Sequence, residues 1–237
     1  GVMFLGDRLS AAVRRDIAAV LDREARARTA DGDEVVPSDR YLRAEHLGYD
    51  PSLAPDDPVA ARDRLIAAGP RELVLGAFAS DWTVALGIRD QLAPLGITVR
   101  PTRFTSQSLQ RVEADKAPLA DAVVIELSTV TYGLDPYLLL RGQVEMVRST
   151  GSAIAAVGAL IDQAATEPDR RARQRLYGAI ERAWRDDPVL VVLGELALDT
   201  SVPTFAVGPR VRGVREPQSG RLLGPFPPSF AAVWLDG

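Results

Sequence analysis

The sequence predicts an α/β fold in which helices pack on a sheet. From Glu72 to Leu127 strand and helix patterns alternate as β-α-β-α-β with short connections, the rhythm of helices laid over a sheet. The second half is dominated by helical periodicity that ends at Pro188. Beyond it, Val189–Leu193 is too short and too rich in β-branched residues for a helix, and reads as a buried strand.

Taken in order, Gly1–Gly6 reads as a strand that enters a helix capped by Ser10. Val13, Ile17, Val20 and Leu21 fall on one face of that helix, and its arginines are expected outside the core. Residues 29–57 lose periodicity and are punctuated by Gly32, Pro37, Gly48, Pro51 and Pro55, which predicts a long loop that is functional or wraps a neighbouring surface. Asp57-Pro58 is an N-cap followed by proline at the first helical position, with Leu65 and Ile66 on the buried side and Gly69 as the stop. A strand at Glu72–Phe78 follows, then a helix from Ser80 or Asp81 through Val84, Ile88 and Leu92 to Gly96, then a strand at Ile97–Arg100. A polar helix near Ser106–Glu113 leads to a strand at Asp121–Leu127. Asp135-Pro136 repeats the cap signal, Ser152 caps a helix carrying Ile154, Val157 and Ile161, and Pro168 opens a helix to Asp186 with Leu176, Ile180 and Ala183 inward. Past Thr200 the chain is rich in Pro and Gly, with short strand candidates at Thr204–Val207 and Phe230–Leu235.

Composition narrows the function. The 237 residues are 46% hydrophobic and 25% charged, as in a folded protein with a proper core, and the net charge of −4 gives no general attraction to nucleic acid. No apolar run reaches the ~18 residues a bilayer span needs. There is no cysteine, which removes disulfides, thiolate catalysis, Cys-type zinc sites and a lipid-bearing N-terminal Cys from this segment. The opening at Gly1 reads as a cut from something longer.

Catalytic constellations are missing as well. The one histidine, His46, has no Gly-x-Ser-x-Gly elbow to serve, and Glu45-His46 lacks the HExxH spacing that aims two imidazoles at one zinc ion. Gly208, Gly213 and Gly220 precede no Lys-Ser or Lys-Thr and read as turn residues rather than a phosphate loop. The pairs Asp56-Asp57 and Asp186-Asp187 sit at helix ends beside prolines, where capping accounts for the first of them. Arg170, Arg171, Arg173, Arg175, Arg182 and Arg185 crowd one helix with Asp169, Glu181, Asp186 and Asp187, which predicts a solvated, ion-paired face. Arg210, Arg212, Arg215 and Arg221 form a looser basic group near the end of the chain.

Ordered motifs run along most of the sequence. Arg14-Arg15-x-Ile17-Ala18-x-x-Leu21-Asp22-Arg23-Glu24, then Gly48-Tyr49-Asp50-Pro51 and the helix from Asp57 to Gly69, are followed by Leu95-Gly96-Ile97-Thr98-Val99. Asp121-Ala122-Val123-Val124, Asp135-Pro136 and the stretch from Arg173 through Tyr177 to Pro188 complete the series. In order and spacing these resemble the second lobe of the family 5 extracellular solute-binding proteins, the oligopeptide-, dipeptide- and nickel-binding receptors of ABC importers. The resemblance implies a mixed sheet flanked by helices, one lobe of a bilobal, type II periplasmic-binding-protein-like fold. Residues 1–188 would form the C-terminal lobe, and 189–237 the crossing strand and the return toward the hinge and the first lobe.

It also implies a non-catalytic solute-binding component with no cofactor and no resident metal, placed outside the cytoplasm and partnered by an ABC permease. On this resemblance Trp82, Glu126, Ser128, Thr129, Thr131 and Tyr132 are the candidate ligand-binding residues, the aromatics covering the solute and the hydroxyls orienting it. Trp82 reads equally as a core aromatic. The family's peptide receptors carry Gly-Trp and then an Asp after the third strand to hold an α-ammonium; here Glu126–Tyr132 offers no Asp before Asp135. Where dipeptide receptors offer an Arg, this chain has Trp82 and Thr83, with Arg89 two turns along. A ligand other than a free peptide is therefore expected. The alternative is an envelope lipoprotein of the same fold, of an actinobacterial kind, that acts through a protein partner in cell-wall glycolipid synthesis.

Overall fold

The computed structural model describes residues 2–6, 8–25, 35–42, 44, 46–53, 56–105, 120–125, 136–149, 155–196, 211–212 and 234–235. Its centre is a five-stranded mixed sheet in the order β4-β3-β5-β1-β6, built from β1 (Val2–Leu5), β3 (Glu72–Ala77), β4 (Thr98–Arg103), β5 (Ala122–Ile125) and β6 (Leu190–Val192). β3 runs parallel to β4 and β5, whereas β1 is antiparallel to both β5 and β6. Asp121 ties β5 to β3 twice, its carboxylate accepting from the Val74 amide at 2.8 Å and its own amide donating to the Val74 carbonyl at 2.9 Å.

Alternation along the strands divides the core between two faces. Val124, Val191 and Leu193 join Met3, Leu5, Leu73 and Leu75 beneath α1 (Ala11–Val20), α2 (Pro58–Ala68) and α3 (Trp82–Leu92). Val123, Leu190 and Val192 face the other way, under α4 (Tyr137–Ser149), α5 (Ala155–Thr166) and α6 (Arg170–Asp186), with Leu140, Val157, Ile161, Tyr177, Ile180 and Trp184. The result is a three-layer arrangement, helices on both faces of one sheet.

Two of the expected caps, Ser10 and Asp57, are in place. Ser10 Oγ accepts from the Val13 amide, and the Asp57 carboxylate accepts from the amides of Val59 and Ala60 ahead of Pro58. At α6 the cap is Asp169, one residue after Pro168, accepting from the Ala172 amide at 2.7 Å. Gly96 closes the turn after α3 with φ of +77°, a conformation glycine adopts without steric penalty.

Several expectations are corrected. The fourth strand runs on to Arg103 through Pro101, which is tolerated because β4 is an edge strand. Ile66 is 44% exposed; α2 buries Ala61 and Leu65 instead. The arginines of α1 do not all lie outside the core. Arg14 is only 7% exposed; it donates to Asp187 through Nε at 2.8 Å and through Nη1 to the carbonyls of Gly6 and Leu9. Asp16, also buried, receives Arg64 of α2. The aperiodic 29–57 stretch contains β2 (Val35–Val36), paired with β7 (Glu195–Leu196), and wraps its own core by burying Tyr41, Leu42 and His46. Two further short strands, β8 (Val211–Arg212) and β9 (Trp234–Leu235), pair with each other and place the end of the Phe230–Leu235 candidate. The expected helix at 106–113, the caps Asp135 and Ser152, Ile154, the strand at 204–207, and Arg210, Arg215 and Arg221 lie outside the described residues.

Glu181 departs most from the solvated face expected of α6. It is 0% exposed, and neither carboxylate oxygen accepts a side-chain hydrogen bond among the described residues. Arg40 Nη1 stands 3.6 Å from Oε1 while the same guanidinium donates to the carbonyls of Asp50 and Leu53. Arg185 donates to Leu53 as well, so residues 50–53 are clamped to α6 above a buried acid. Burial pushes the Glu181 carboxyl above its ordinary value, against the opposing pull of Arg40, Arg185 and the Asp50 amide; the Asp50 carboxylate adds to the push. A carboxyl raised in the folded state binds more protons folded than unfolded. Its contribution is therefore full below the unfolded value of 4.5 and is lost as pH rises through the folded value. Glu181→Gln should remove that slope. The variant is expected to match the parent near pH 4 and to exceed it at pH 7 by on the order of 1 kcal/mol, read by denaturant titration at both pH values. Equal or lower stability of the variant at pH 7 would show that the pairing with Arg40 outweighs burial.

Candidate functional site

In sheets of parallel strands with covering helices, ligands bind beyond the carboxyl ends of the strands. Here that edge gathers the ends of β3 at Ala77, β4 at Arg103, β5 at Ile125 and β6 at Val192, since Val2 of β1 pairs with both Ile125 and Val192. Phe104 turns back over β3, its amide donating to the Ala77 carbonyl at 2.8 Å. Its ring lies over Gly76, where a Cβ would fall 2.6 Å from the ring carbons, so only glycine leaves room for it. Phe78 meets Phe104 edge to face at 6.5 Å.

The opposite face of the same edge carries the start of α3. Asp81 stands at the N-cap, buried, its amide bonded to the Phe78 carbonyl and its carboxylate accepting from Ser80 Oγ at 3.2 Å. Trp82 is half-buried against the core beneath α1–α3, and the Arg103 guanidinium lies over its ring at 5.2 Å. A guanidinium on an indole face is a favourable cation–π arrangement that leaves its N–H edge free to reach an anionic or carbonyl oxygen. Close to the end of β6 lies a cavity of about 60 Å³ lined by Arg23, Asp39, Tyr41, Asp56, Arg185 and Val192. Arg23 donates to the carbonyls of Val192, Leu21 and Ala18. Burial lowers its pKa, and Asp39 works against that fall. Tyr41 donates to the Leu190 carbonyl, and burial raises its hydroxyl well above the ordinary value. This cavity is a structural joint between β6 and the 35–42 segment rather than an open site.

No family model matches the sequence, and no curated protein matches it. Solved structures do. The ABC transporter substrate-binding protein CtaP of Listeria monocytogenes aligns with a TM-score of 0.67 at 17% identity, over 81% of this chain and 42% of its own. NikA of Brucella suis, solved with Fe(III)-EDTA, aligns at 0.66 and 21% identity, over 82% and 44%. The ABC transporter-associated periplasmic binding protein DppA of Helicobacter pylori, solved with the peptide STSA, aligns at 0.65 and 16%, over 99% and 46%. This chain has the fold of the ABC-transporter substrate-binding proteins. It spans less than half the length of each of these bilobal, type II binding proteins, and the expected α/β class with a mixed, helix-flanked sheet stands.

Within that binding-protein fold, the described residues place one of the six sequence candidates, Trp82, at the carboxyl edge. Glu126, Ser128, Thr129, Thr131 and Tyr132 lie outside the described residues, although Ile125 ends its strand at this edge. Sequence reasoning missed Arg103 because the strand was ended at Arg100, ahead of Pro101. Among the described residues no group of three or more His, Asp or Glu side chains is placed to hold a metal, and no helix is long and apolar enough to cross a membrane.

Proposed function

We propose that this chain is the second lobe of a solute-binding component of an ABC-type importer. In this reading residues 1–188 are the lobe, residues 189–237 supply the crossing strand that begins with β6 at the edge of the lobe's sheet and the return toward the hinge, and the parent protein works outside the cytoplasm with an ABC permease. The observation that carries the reading is the agreement of fold over 80% or more of the chain with proteins of this kind, each about twice as long. The carboxyl-edge pair Trp82 and Arg103 supports it by offering an aromatic face and a fixed cation where such folds take ligands. The solute then has a flat or apolar portion for the indole and a carboxylate or other oxygen for Arg103. Glu126, Ser128, Thr129, Thr131 and Tyr132 complete the wall. Two lobes closing over the solute by hinge motion supply capture and release, and no bond is made or broken.

Thermal-shift screening of the full-length protein against peptides, sugars, metal chelates and lipid headgroups tests this. At least one class should raise the melting temperature, and Trp82→Ala should weaken its binding about 10-fold by calorimetry, the loss expected for a contacting aromatic. Unchanged affinity would make Trp82 a packing residue. No stabilisation by any solute class would overturn import in favour of an envelope protein that acts through a partner.

A further inference from the structure

The hollow between α6 and the 48–50 turn lies outside everything assigned so far. Arg171, Arg175, Gly178 and Arg182 recur at helical spacing and form one stripe along α6. Gly178 supplies no side chain in the middle of that stripe, and the backbone of Gly48 lies directly against it, where a Cβ on Gly178 would stand 3.4 Å from the Gly48 carbonyl oxygen. The dip holds about 480 Å³, walled by Tyr49 and Asp50 on one side and by Arg171, Gln174, Arg175 and Arg182 on the other.

Its charge is unbalanced. Among the described residues Asp50 is the one carboxylate in the lining, and it stands 3.9 Å from Arg182. Arg171 and Arg175 are exposed, as a solvated face requires, and Arg182 is paired with Asp50, but neither Arg171 nor Arg175 has a carboxylate partner among the described residues. Two guanidinium groups four residues apart on a helix repel one another, and an anion placed between them relieves that repulsion. Because the whole chain is net acidic, this concentration of positive charge is not a reflection of composition.

We propose that this hollow docks an extended, acidic segment of a protein partner. The spacing selects that occupant. Arg171 and Arg175 are about 6 Å apart along the helix axis, and alternate side chains of an extended strand repeat every ~6.6 Å. Carboxylates at every second position therefore meet both cations, and about five extended residues cover the ~16.5 Å from Arg171 to Arg182. A single phosphate reaches one end only, and a planar lipid surface does not enter a concavity floored by two glycine backbones. The site is independent of the solute reading, since none of its residues lies at the carboxyl edge of the sheet.

The test uses full-length protein and a fluorescein-labelled acetyl-Glu-Ala-Glu-Ala-Glu-amide peptide, followed by anisotropy at low ionic strength. The same peptide with Gln for Glu, phosphatidylglycerol vesicles and inorganic pyrophosphate serve as the other arms. Binding should require Glu, weaken as salt is raised, and fall at least 10-fold in Arg171→Gln/Arg175→Gln. The control Arg62→Gln/Arg100→Gln, at exposed sites on α2 and β4, should bind as the parent does. Peptide binding that ignores the α6 substitutions, or vesicles or pyrophosphate binding through these arginines while the peptide does not, would overturn the proposal.

Discussion

Trp184→Ala should destabilise the protein by about 3–5 kcal/mol, a large share of the ~5–15 kcal/mol that holds a domain folded. Trp184 is 0% exposed and lies on the inward face of α6. Its ring stacks on Tyr41 with centroids 5.1 Å apart and planes 22° from parallel, so the substitution empties a large volume and strips Tyr41 of its partner. Tyr41 in turn holds β6 through the Leu190 carbonyl, which carries the damage into the sheet. Trp184→Phe separates packing from polarity. The indole Nε1 is buried without a hydrogen-bond acceptor among the described residues, and an unpaired buried donor costs ~1–3 kcal/mol. Removing that N–H offsets part of the lost volume, so the Phe variant should fall within about 1.5 kcal/mol of the parent. Urea titration followed by circular dichroism measures both. An alanine variant within 1 kcal/mol of the parent would mean that α6 repacks freely and that this cluster is not a rigid joint.

Trp184 also marks where reading the sequence reached its limit. The helix was legible from Pro168 to Asp186, and the inward residues were expected at Leu176, Ile180 and Ala183. The buried side chains are those of Tyr177, Ile180, Glu181 and Trp184, beside the buried Gly178, with Leu176 and Ala183 at the margin. Positions 177, 180, 181 and 184 themselves follow helical spacing, but a charged residue among them and arginines around them drew the expected face one step round. Local signals did well wherever a single short-range bond decides the geometry, as at Ser10 and Asp57. Pairings made across the chain were not legible. Arg14 and Asp187 are 173 residues apart, and β2 and β7 are two residues each, too short to show periodicity. At the candidate site the same division holds. The head of α3 was visible from local pattern and the family resemblance singled out Trp82 there, whereas its stacking on Arg103 depends on β3 and β4 lying parallel and on an edge strand carrying a proline.

Gly48→Ala is the second substitution with a large expected effect. Gly48 has φ of +95°, outside the range an L-residue occupies without strain. An added Cβ would fall 2.5 Å from the Tyr177 Cβ and 2.9 Å from the Gly178 amide nitrogen, contacts that neither a helix backbone nor a buried tyrosine can relieve by rotation. Backbone strain of ~1–2 kcal/mol and overpacking of ~1–3 kcal/mol together predict a loss on the order of 3 kcal/mol. Because Arg40 and Arg185 still clamp residues 50–53 from the far side, the turn should lift locally rather than unfold the domain. Hydrogen exchange should then rise at Tyr49, whose amide donates to the His46 carbonyl, while the amides of β3 and β5 stay protected. Lifting the turn also spoils the floor of the α6 hollow, so the variant should lose affinity for the acidic peptide with Arg171 and Arg175 intact. Retained peptide affinity alongside the lost stability would show that the arginine stripe binds alone and that the glycine floor contributes nothing to it.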